Sequence, residues 1–571
     1  MAKNKSQNTL KNTLTGAEAM VNMLQAHDVS HIFGLCGDTS LPFYDALERF
    51  GRPFEHILTR DERHAGYMAD GYARVTGKPG ICEGPSGGGA TYILPALVEA
   101  NESSIPILAI TTDVSTIARG RYPLTELDQP ALFAPVTKWN TSLDASARLP
   151  AQVRTAFRQM TTGRPGAVHL AFPFDTQKGA VDPQDIWADP AHSIFPAQPA
   201  YPDPDTITAI AQRLHTAKAP LVICGGGPVI AGATEELDRF ARRLDMPIAT
   251  TVSGQGALAS THPNVIGVVG TNGGVRATRA VVAKADLVIF IGCRAGSVTT
   301  ERWRSPSPDT TIIHIDSDPA VLGANYQTEI ALCADAALAL AALNQELERR
   351  TDLPTFGGRA IASKAWQDKK AAFQALAQSD ARPIRPERVI ACLNEILPHD
   401  AMIAADPGTP CPYVSAYYRW QQAGRHLLTN RAHGALGYSL AAAIGAQFGR
   451  PASKTVALMG DGSFGFCCGE FETLTRYRLP ITSIVFSNQT YGWIKAGQSA
   501  GFGKRFYNVD FQETDHAAVA AAFGIKSWRV ENPATLRTTL IKAIEHPGPS
   551  LVDVISQPLH EAAAPVSEWI A

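Results

Sequence analysis

Short, uninterrupted apolar runs alternate with stretches of helical periodicity along almost the whole chain. ILAIT at 107–111, AVHLAFP at 167–173, LVIC at 221–224, DLVIFIG at 286–292, TIIHID at 311–316, TVALMG at 455–460 and ITSIVFSN at 481–488 are too short for helices. Continuous runs of this kind predict strands buried on both faces. SLAAAIGAQFG at 439–449, the Ala/Leu-rich run that ends in ELERR at 346–350, and the segment around 469–478 predict helices between them. Strand–helix alternation predicts parallel sheets. It falls into three blocks, 15–176, 220–343 and 387–554. A Pro, Ala and Asp-rich stretch at 177–205 reads as a linker, and 351–386 as a connection plus a helix. The expected fold is α/β, with three doubly wound parallel-sheet domains at 1–180, 200–345 and 375–560 and a tail at 561–571.

Composition narrows the classes. Apolar residues make up 45% and charged residues 18% of 571 positions, an ordinary globular balance. The net charge of −2 leaves no basic footprint, so nucleic acid is not an expected partner. Lys3, Lys5 and Lys11 sit among polar residues and read as a solvated tail without a signal-peptide core. No apolar window is long enough for a membrane span. Nine cysteines, scattered mostly in apolar runs, fit reduced thiols in a cytoplasmic protein. Cys467-Cys468 lacks a second pair and so lacks zinc spacing.

The third block carries the strongest chemical pattern. TVALMG runs directly into Gly460-Asp461-Gly462-Ser463, and the next strand ends in Asn488. Ligands of parallel sheets sit at the carboxyl ends of strands, so a carboxylate and an amide arrive at one edge. Mg²⁺ takes hard oxygen ligands and shares them with phosphates. Asp461, Asn488 and the carbonyl of Thr490 can supply three. A helix beginning after Ser463 would favour anionic oxygens. A plain strand–turn, with Asn488 closing the strand, is the competing reading.

Gly-Asp-Gly followed at this distance by Asn resembles the thiamine diphosphate signature. HGALGYSLAAAIGA at 433–446, RDERHAGYMADGYARVTGKPG at 60–80 and GRPGAVHLAFP at 163–173 resemble the acetohydroxyacid (acetolactate) synthase and 2-oxoacid decarboxylase family, in order along nearly the whole chain. The resemblance implies pyrimidine-binding, middle and diphosphate-binding domains and an active site shared between subunits. It also implies a homodimer at minimum, with a homotetramer as the expected assembly. Glu62 matches the glutamate that faces the cofactor pyrimidine; the other reading is a solvated Glu on a charged turn. Leu436 matches the aliphatic residue that bends the cofactor, or else is ordinary core, and Gly434 matches the residue whose carbonyl meets the cofactor's amino group. Gly408 and Thr409 match a diphosphate-holding loop. Gly460, Asp461, Gly462, Ser463, Asn488, Thr490 and Tyr491 complete the cofactor set.

Asp38, Thr39, Ser86, Gly87 and Trp493 would face the substrate. Asp38 resembles a proton-handling aspartate of pyruvate decarboxylases, or is a turn residue. His64 is a general base or a surface ion partner of its neighbouring carboxylate. The implied reaction is carbon–carbon bond cleavage or formation on a 2-oxo acid. Gly292-Cys293-Arg294 and Asp316 resemble a middle domain that binds FAD or ADP. RGRYPLTE at 119–126 departs from both parent patterns: it lacks paired histidines, and Leu124-Thr125-Glu126 replaces Phe-Gln-Glu. Glu126-Leu127-Asp128-Gln129 and the run at 464–480 instead resemble oxalyl-CoA decarboxylase and 2-hydroxyacyl-CoA lyase. A dehydrogenase read from Gly225-Gly226-Gly227 lacks the G-x-G-x-x-G spacing.

Overall fold

The computed structural model describes residues 13–569; Lys3, Lys5 and Lys11 lie outside the described residues. Its strands build three six-stranded parallel sheets with helices packed on them. The first holds β1 (His31–Gly34), β2 (Glu55–Leu58), β3 (Gly80–Gly84), β4 (Ile107–Asp113), β5 (Trp139–Ser142) and β6 (Val168–Pro173), in the order β2-β1-β3-β4-β6-β5. The second holds β7 (Pro220–Cys224), β8 (Ile248–Thr250), β9 (Val265–Val268), β10 (Leu287–Ile291), β11 (Thr311–Asp316) and β12 (Ile330–Cys333), in the order β9-β8-β7-β10-β11-β12. The third holds β13 (Met402–Ala405), β14 (Leu427–Leu428), β15 (Thr455–Gly460), β16 (Thr482–Ser487), β17 (Lys526–Val530) and β18 (Ser550–Ile555), in the order β14-β13-β15-β16-β18-β17. The first and third sheets therefore share one topology, and the middle sheet has another.

Double coverage is visible in the middle sheet. Val222, Cys224, Ile289, Ile291 and Ile313 enter one core cluster, while their neighbours Leu221, Ile223, Val288, Phe290 and Ile312 enter another. Successive strand side chains point to opposite faces, so continuous apolar runs are what a sheet covered on both sides requires. Among the described residues, no helix is long and apolar enough to cross a membrane.

Contacts group the chain into two compact units. One contains the amino-terminal sheet together with 432–434 and 444–450, and the other contains the middle and third sheets. Within the first unit, much of the expected linker is pinned. Ala180–Val181 pairs antiparallel with Leu14–Thr15. Gln177 is buried and its Nε2 donates to the carbonyls of Thr39 and Phe172 at 2.9 and 3.0 Å. His192 and Phe195 are buried as well. Their apolar and amide groups order a stretch whose Pro and Asp content alone suggests a free connection. The helix Pro204–Thr216 then starts in the other unit, capped by Asp203, whose Oδ2 accepts from Thr206 N at 2.8 Å.

In the second unit, the tail is held by backbone bonds. Gly273 N donates to Pro565 O and Ser567 N to Thr271 O, both at 2.9 Å. The Gly225-Gly226-Gly227 turn serves close packing. A Cβ on Gly225 would lie 2.0 Å from the Gly292 carbonyl oxygen, and one on Gly227 2.5 Å from the Gly292 Cα. Backbone cannot yield as a side-chain tip can, so these glycines let the loops after β7 and β10 touch. Gly225→Ala is expected to lower stability by about 1–3 kcal/mol. Gly296→Ala, where an added Cβ meets nothing within 4 Å, should stay within about 0.5 kcal/mol. Urea midpoints of the two variants check this; equal midpoints would remove the packing role.

Candidate active site

In the first unit, the site forms at the carboxyl ends of β1, β2 and β3. β2 ends at Leu58, and the helix Glu62–Thr76 begins shortly after it. Asp61 caps that helix by accepting from Arg63 N at 2.8 Å, which leaves Glu62 as its first residue. Glu62 is 7% exposed and lies against glycines. An added Cβ on Gly89 would come 3.2 Å from Glu62 Oε1, and one on Gly84 3.3 Å from its Cγ. Burial raises the Glu62 carboxyl above its ordinary range against a backbone hydrogen bond that lowers it, with the charges of Asp61 and Glu83 adding to the rise. The solvated-turn alternative for Glu62 therefore does not hold.

The loop after β3 meets the loop after β1. Thr39 Oγ1 bonds Thr112 Oγ1 at 2.8 Å and Ser86 Oγ at 3.2 Å, and Ser86 Oγ bonds Thr125 Oγ1 at 2.6 Å. Thr125 packs over Gly87, where a Cβ would meet its side chain at 2.8 Å. Asp38 is exposed and accepts from Thr39 N at 2.8 Å, a local turn bond. His64 is buried at 2% exposure, which rules out the surface ion partner. Glu99 carries no motif in the sequence, yet it is buried and paired with Arg74 at 3.0 Å. Its Oε2 accepts from Ala432 N and His433 N at 3.0 and 2.7 Å, anchoring the segment that carries Gly434. Glu83 likewise belongs to no motif. It stands inside the apolar run of β3, where a carboxylate is out of place, and that misplacement is its one signal in the sequence.

In the second unit, β13 and β15 are neighbours in the third sheet, and their following loops diverge to opposite sides of it. This is a topological switch point, where open α/β sheets take ligands. Asp406, directly after β13, is fully buried and accepts from Tyr438 N, Ser439 N and Ser439 Oγ at 2.8, 3.0 and 3.0 Å. It thereby caps the helix Tyr438–Gly449. Gly408 has φ of +98°, a left-handed conformation that suits glycine, and Thr409 precedes the helix Pro410–Tyr417. Leu436 is only half-buried, so it is not ordinary core.

β15 ends at Gly460, and the next helix begins at Asp461, earlier than the expected start after Ser463. Asp461, its first residue, turns its carboxylate onto backbone N–H groups. Oδ1 accepts from Gly462 N at 2.9 Å, and Oδ2 accepts from Asn488 N and Gln489 N at 2.6 Å each. Burial still raises the Asp461 carboxyl, with those three bonds pulling it down. Asn488 follows the last residue of β16, and both polar atoms of its side chain are buried without a partner among the described residues. Thr490 Oγ1 donates to Val509 O at 2.9 Å, and Tyr491 covers Gly462, where a Cβ would lie 2.8 Å from the ring. Ser463 is buried and helps hold Asp406. Trp493 packs edge-on against Trp569 with ring centroids 5.1 Å apart.

These residues fit a hard cation shared with a phosphate. Asn488 has an unpartnered amide oxygen beside a buried carboxylate whose ionised form a cation would stabilise. Added Cβ atoms at Gly408 and Gly460 would meet nothing within 4 Å, so the strand ends are open to a ligand. Among the described residues, no group of three or more His, Cys, Asp or Glu side chains is placed to hold a metal ion.

Comparison with known proteins agrees with this division. Residues 14–132 match the family profile "Thiamine pyrophosphate enzyme, N-terminal TPP binding domain", residues 207–343 the central domain, and residues 406–554 the C-terminal TPP binding domain. The chain is 33% identical over 554 residues to a probable acetolactate synthase large subunit of Methanocaldococcus jannaschii, covering 95% of this chain and 92% of the relative. It is 32% identical over 558 residues to the corresponding protein of Methanococcus aeolicus, with the same coverage. It is 30% identical over 552 residues to the acetolactate synthase large subunit of Lactococcus lactis, covering 96% and 93%.

Asp406 yields a pH prediction. Burial pushes its carboxyl up to about 6 despite the bonds from Ser439 and Tyr438 that pull it down. An unfolded Asp titrates near about 3.9, so between these values the folded state holds the extra proton. Its contribution to stability is present below that window and is lost as pH rises through it. Asp406→Asn keeps a cap but cannot titrate. The stability difference between wild type and variant, from urea midpoints, should therefore fall from about pH 4 to about pH 6. A flat difference would refute the assignment.

Proposed function

The chain belongs to the thiamine pyrophosphate enzyme family, and from that premise we propose that it is a Mg²⁺-dependent carboligase or decarboxylase of a 2-oxo acid. The observation that carries the proposal is the pairing of buried Asp461 with unpartnered Asn488 at adjacent strand ends. Asp461, Asn488 and the Thr490 carbonyl would hold Mg²⁺, with a diphosphate completing the shell. Gly408, Thr409, Gly460, Gly462, Ser463 and Tyr491 would surround that diphosphate. Bound thiamine diphosphate supplies a nucleophilic carbon and an electron sink.

The chain's own residues would do the rest. Glu62 holds a proton toward the pyrimidine, and its burial suits a neutral acid that donates a hydrogen bond. Gly434 would offer a carbonyl to the cofactor's amino group, and half-buried Leu436 would offer the cofactor an apolar support. The Thr39, Ser86 and Thr125 hydroxyls line the first unit's strand ends, with Gly87 and Asp38 beside them, and His64 is buried two residues after Glu62. These would meet the substrate, with Trp493 on the diphosphate side. The proposed assembly is a homodimer at minimum and a homotetramer in full, in the cytoplasm. FAD or ADP in the middle domain lacks support from the loops after β7 and β10, which close on each other. The acetolactate synthase names of the relatives favour a 2-oxo acid over a CoA thioester.

Glu62→Gln should retain the cofactor and lose roughly 10²- to 10⁴-fold in turnover. Near-normal rates in that variant would take Glu62 out of the chemistry. Asn488→Ala should weaken Mg²⁺-dependent retention of thiamine diphosphate, read by equilibrium dialysis; unchanged retention would move the cation elsewhere. With both cofactors present, pyruvate and other 2-oxo acids should release CO₂ or yield ligated product. Turnover of a 2-hydroxyacyl-CoA alone would overturn the substrate class.

A further inference from the structure

We propose that Ser487, Asp553 and His516 are positioning residues for Asn488: a buried hydrogen-bonded group that fixes the end of β16 and so aims the Asn488 amide at the cation. The proposal rests on the metal role proposed for Asn488 above. Asp553 interrupts the apolar strand β18, where a carboxylate is out of place, and it is fully buried. Such a group must be enclosed by donors. Ser487, the last residue of β16, supplies one, its Oγ donating to Asp553 Oδ1. In the parallel pairing of the two strands, Asp553 lies opposite Val485 and Ser487 opposite Ile555. The two polar side chains therefore stand on one face of the sheet.

His516 closes the group. It begins the helix His516–Ala522, and its backbone N donates to Asp553 Oδ2 at 3.2 Å. Its Nδ1 lies 3.0 Å from Ser487 Oγ. Ser487 and His516 are each 5% exposed, so these contacts are shielded from water. The His516 ring also meets Phe464 edge-on, with ring centroids 4.7 Å apart. Phe464 belongs to the helix that starts at Asp461. The group therefore touches both elements that carry the proposed cation ligands: the strand that ends before Asn488 and the helix that begins at Asp461.

The backbone changes partners at this point. Ser487 is held to β18 twice, through its side chain on Asp553 and through its carbonyl, which accepts from Ser556 N at 2.8 Å. The next two residues turn toward β15, where Asn488 N and Gln489 N donate to Asp461 Oδ2. Gln489 has φ of +59°, a left-handed conformation uncommon outside glycine. Such a conformation persists where the surroundings fix it. The Asn488 side chain makes no hydrogen bond among the described residues, so the backbone on either side sets its direction. Mg²⁺ demands a near-ideal octahedron, so a ligand free to swing costs affinity. Groups that hold a metal ligand from behind are typically worth roughly ten- to hundredfold in affinity.

The test reads cation affinity in the full-length protein with thiamine diphosphate added, using Mn²⁺ as the probe and electron paramagnetic resonance to measure its free fraction. Mn²⁺ shares the oxygen ligands and octahedral geometry of Mg²⁺. Ser487→Ala and Asp553→Asn should each weaken Mn²⁺ binding roughly tenfold or more. In turnover, Ser487→Ala should need correspondingly more Mg²⁺ for half-saturation and regain the wild-type kcat once saturated. Thr482→Val is the control. It removes a buried hydroxyl at the other end of β16, one that donates to Ala543 O at 3.2 Å, and should lower the urea midpoint while leaving Mn²⁺ affinity as it was. Unchanged Mn²⁺ affinity in Ser487→Ala, or an equal loss in Thr482→Val, overturns the proposal. If Asn488→Ala weakens Mn²⁺ binding and Ser487→Ala does not, the metal assignment stands and only the positioning role falls. Unchanged Mn²⁺ affinity in Asn488→Ala removes the metal assignment itself, and the positioning role with it.

Discussion

A carboxylate taken out of water must find a proton, a cation or a set of N–H donors, and the two units each hold solutions to that problem, three in all. Asp406 takes N–H and hydroxyl donors from the start of a helix and becomes a structural cap. Asp461 takes three backbone N–H groups and stands beside an amide with no partner, which leaves room for a cation. Glu62 has one backbone N–H bond that pulls its carboxyl down, and burial outweighs it and raises the carboxyl above its ordinary range. The division of labour among these acids follows from what each strand end offers them.

The sheet topologies explain why the acids fall where they do. The first and third sheets have the same strand order, with a switch point between their first and third strands. In the third sheet, Asp406 and Asp461 follow the two strands that flank it. In the first, the Asp38–Thr39 turn and the Ser86–Gly87 loop follow the equivalent strands, and hydrogen bonds join them. The middle sheet switches between β7 and β10, and there Gly225, Gly227 and Gly292 bring backbone against backbone. At the first sheet's switch point the loops also meet, since an added Cβ on Gly37 would lie 2.4 Å from Pro85 Cβ, whereas at the third an added Cβ on Gly408 or Gly460 would meet nothing within 4 Å.

Much of this is legible along the chain. Continuous apolar runs such as TVALMG and DLVIFIG mark buried strands, since little else in an α/β protein keeps several consecutive residues out of water. Gly-Asp-Gly followed by a distant Asn marks a cofactor edge because each of those residue types has a distinct physical use at a strand end. The stretch at 177–205 is the counter-example. Its Pro and Asp content reports local turn preference and is silent on the burial of Gln177 and Phe195, so it reads as a free linker and folds as a pinned one.

By itself, the sequence determined the α/β class, the parallel sheets and the residue types at the strand ends, because periodicity and glycine placement are local properties. Only the tertiary structure decided which acids are buried and what they face. Asp553 becomes significant because Ser487 and His516 arrive from another strand and a helix to enclose it. Glu99 becomes significant because the backbone at 432–433 reaches it. Such encounters depend on packing between distant segments, and no local pattern encodes the electrostatic environment they create.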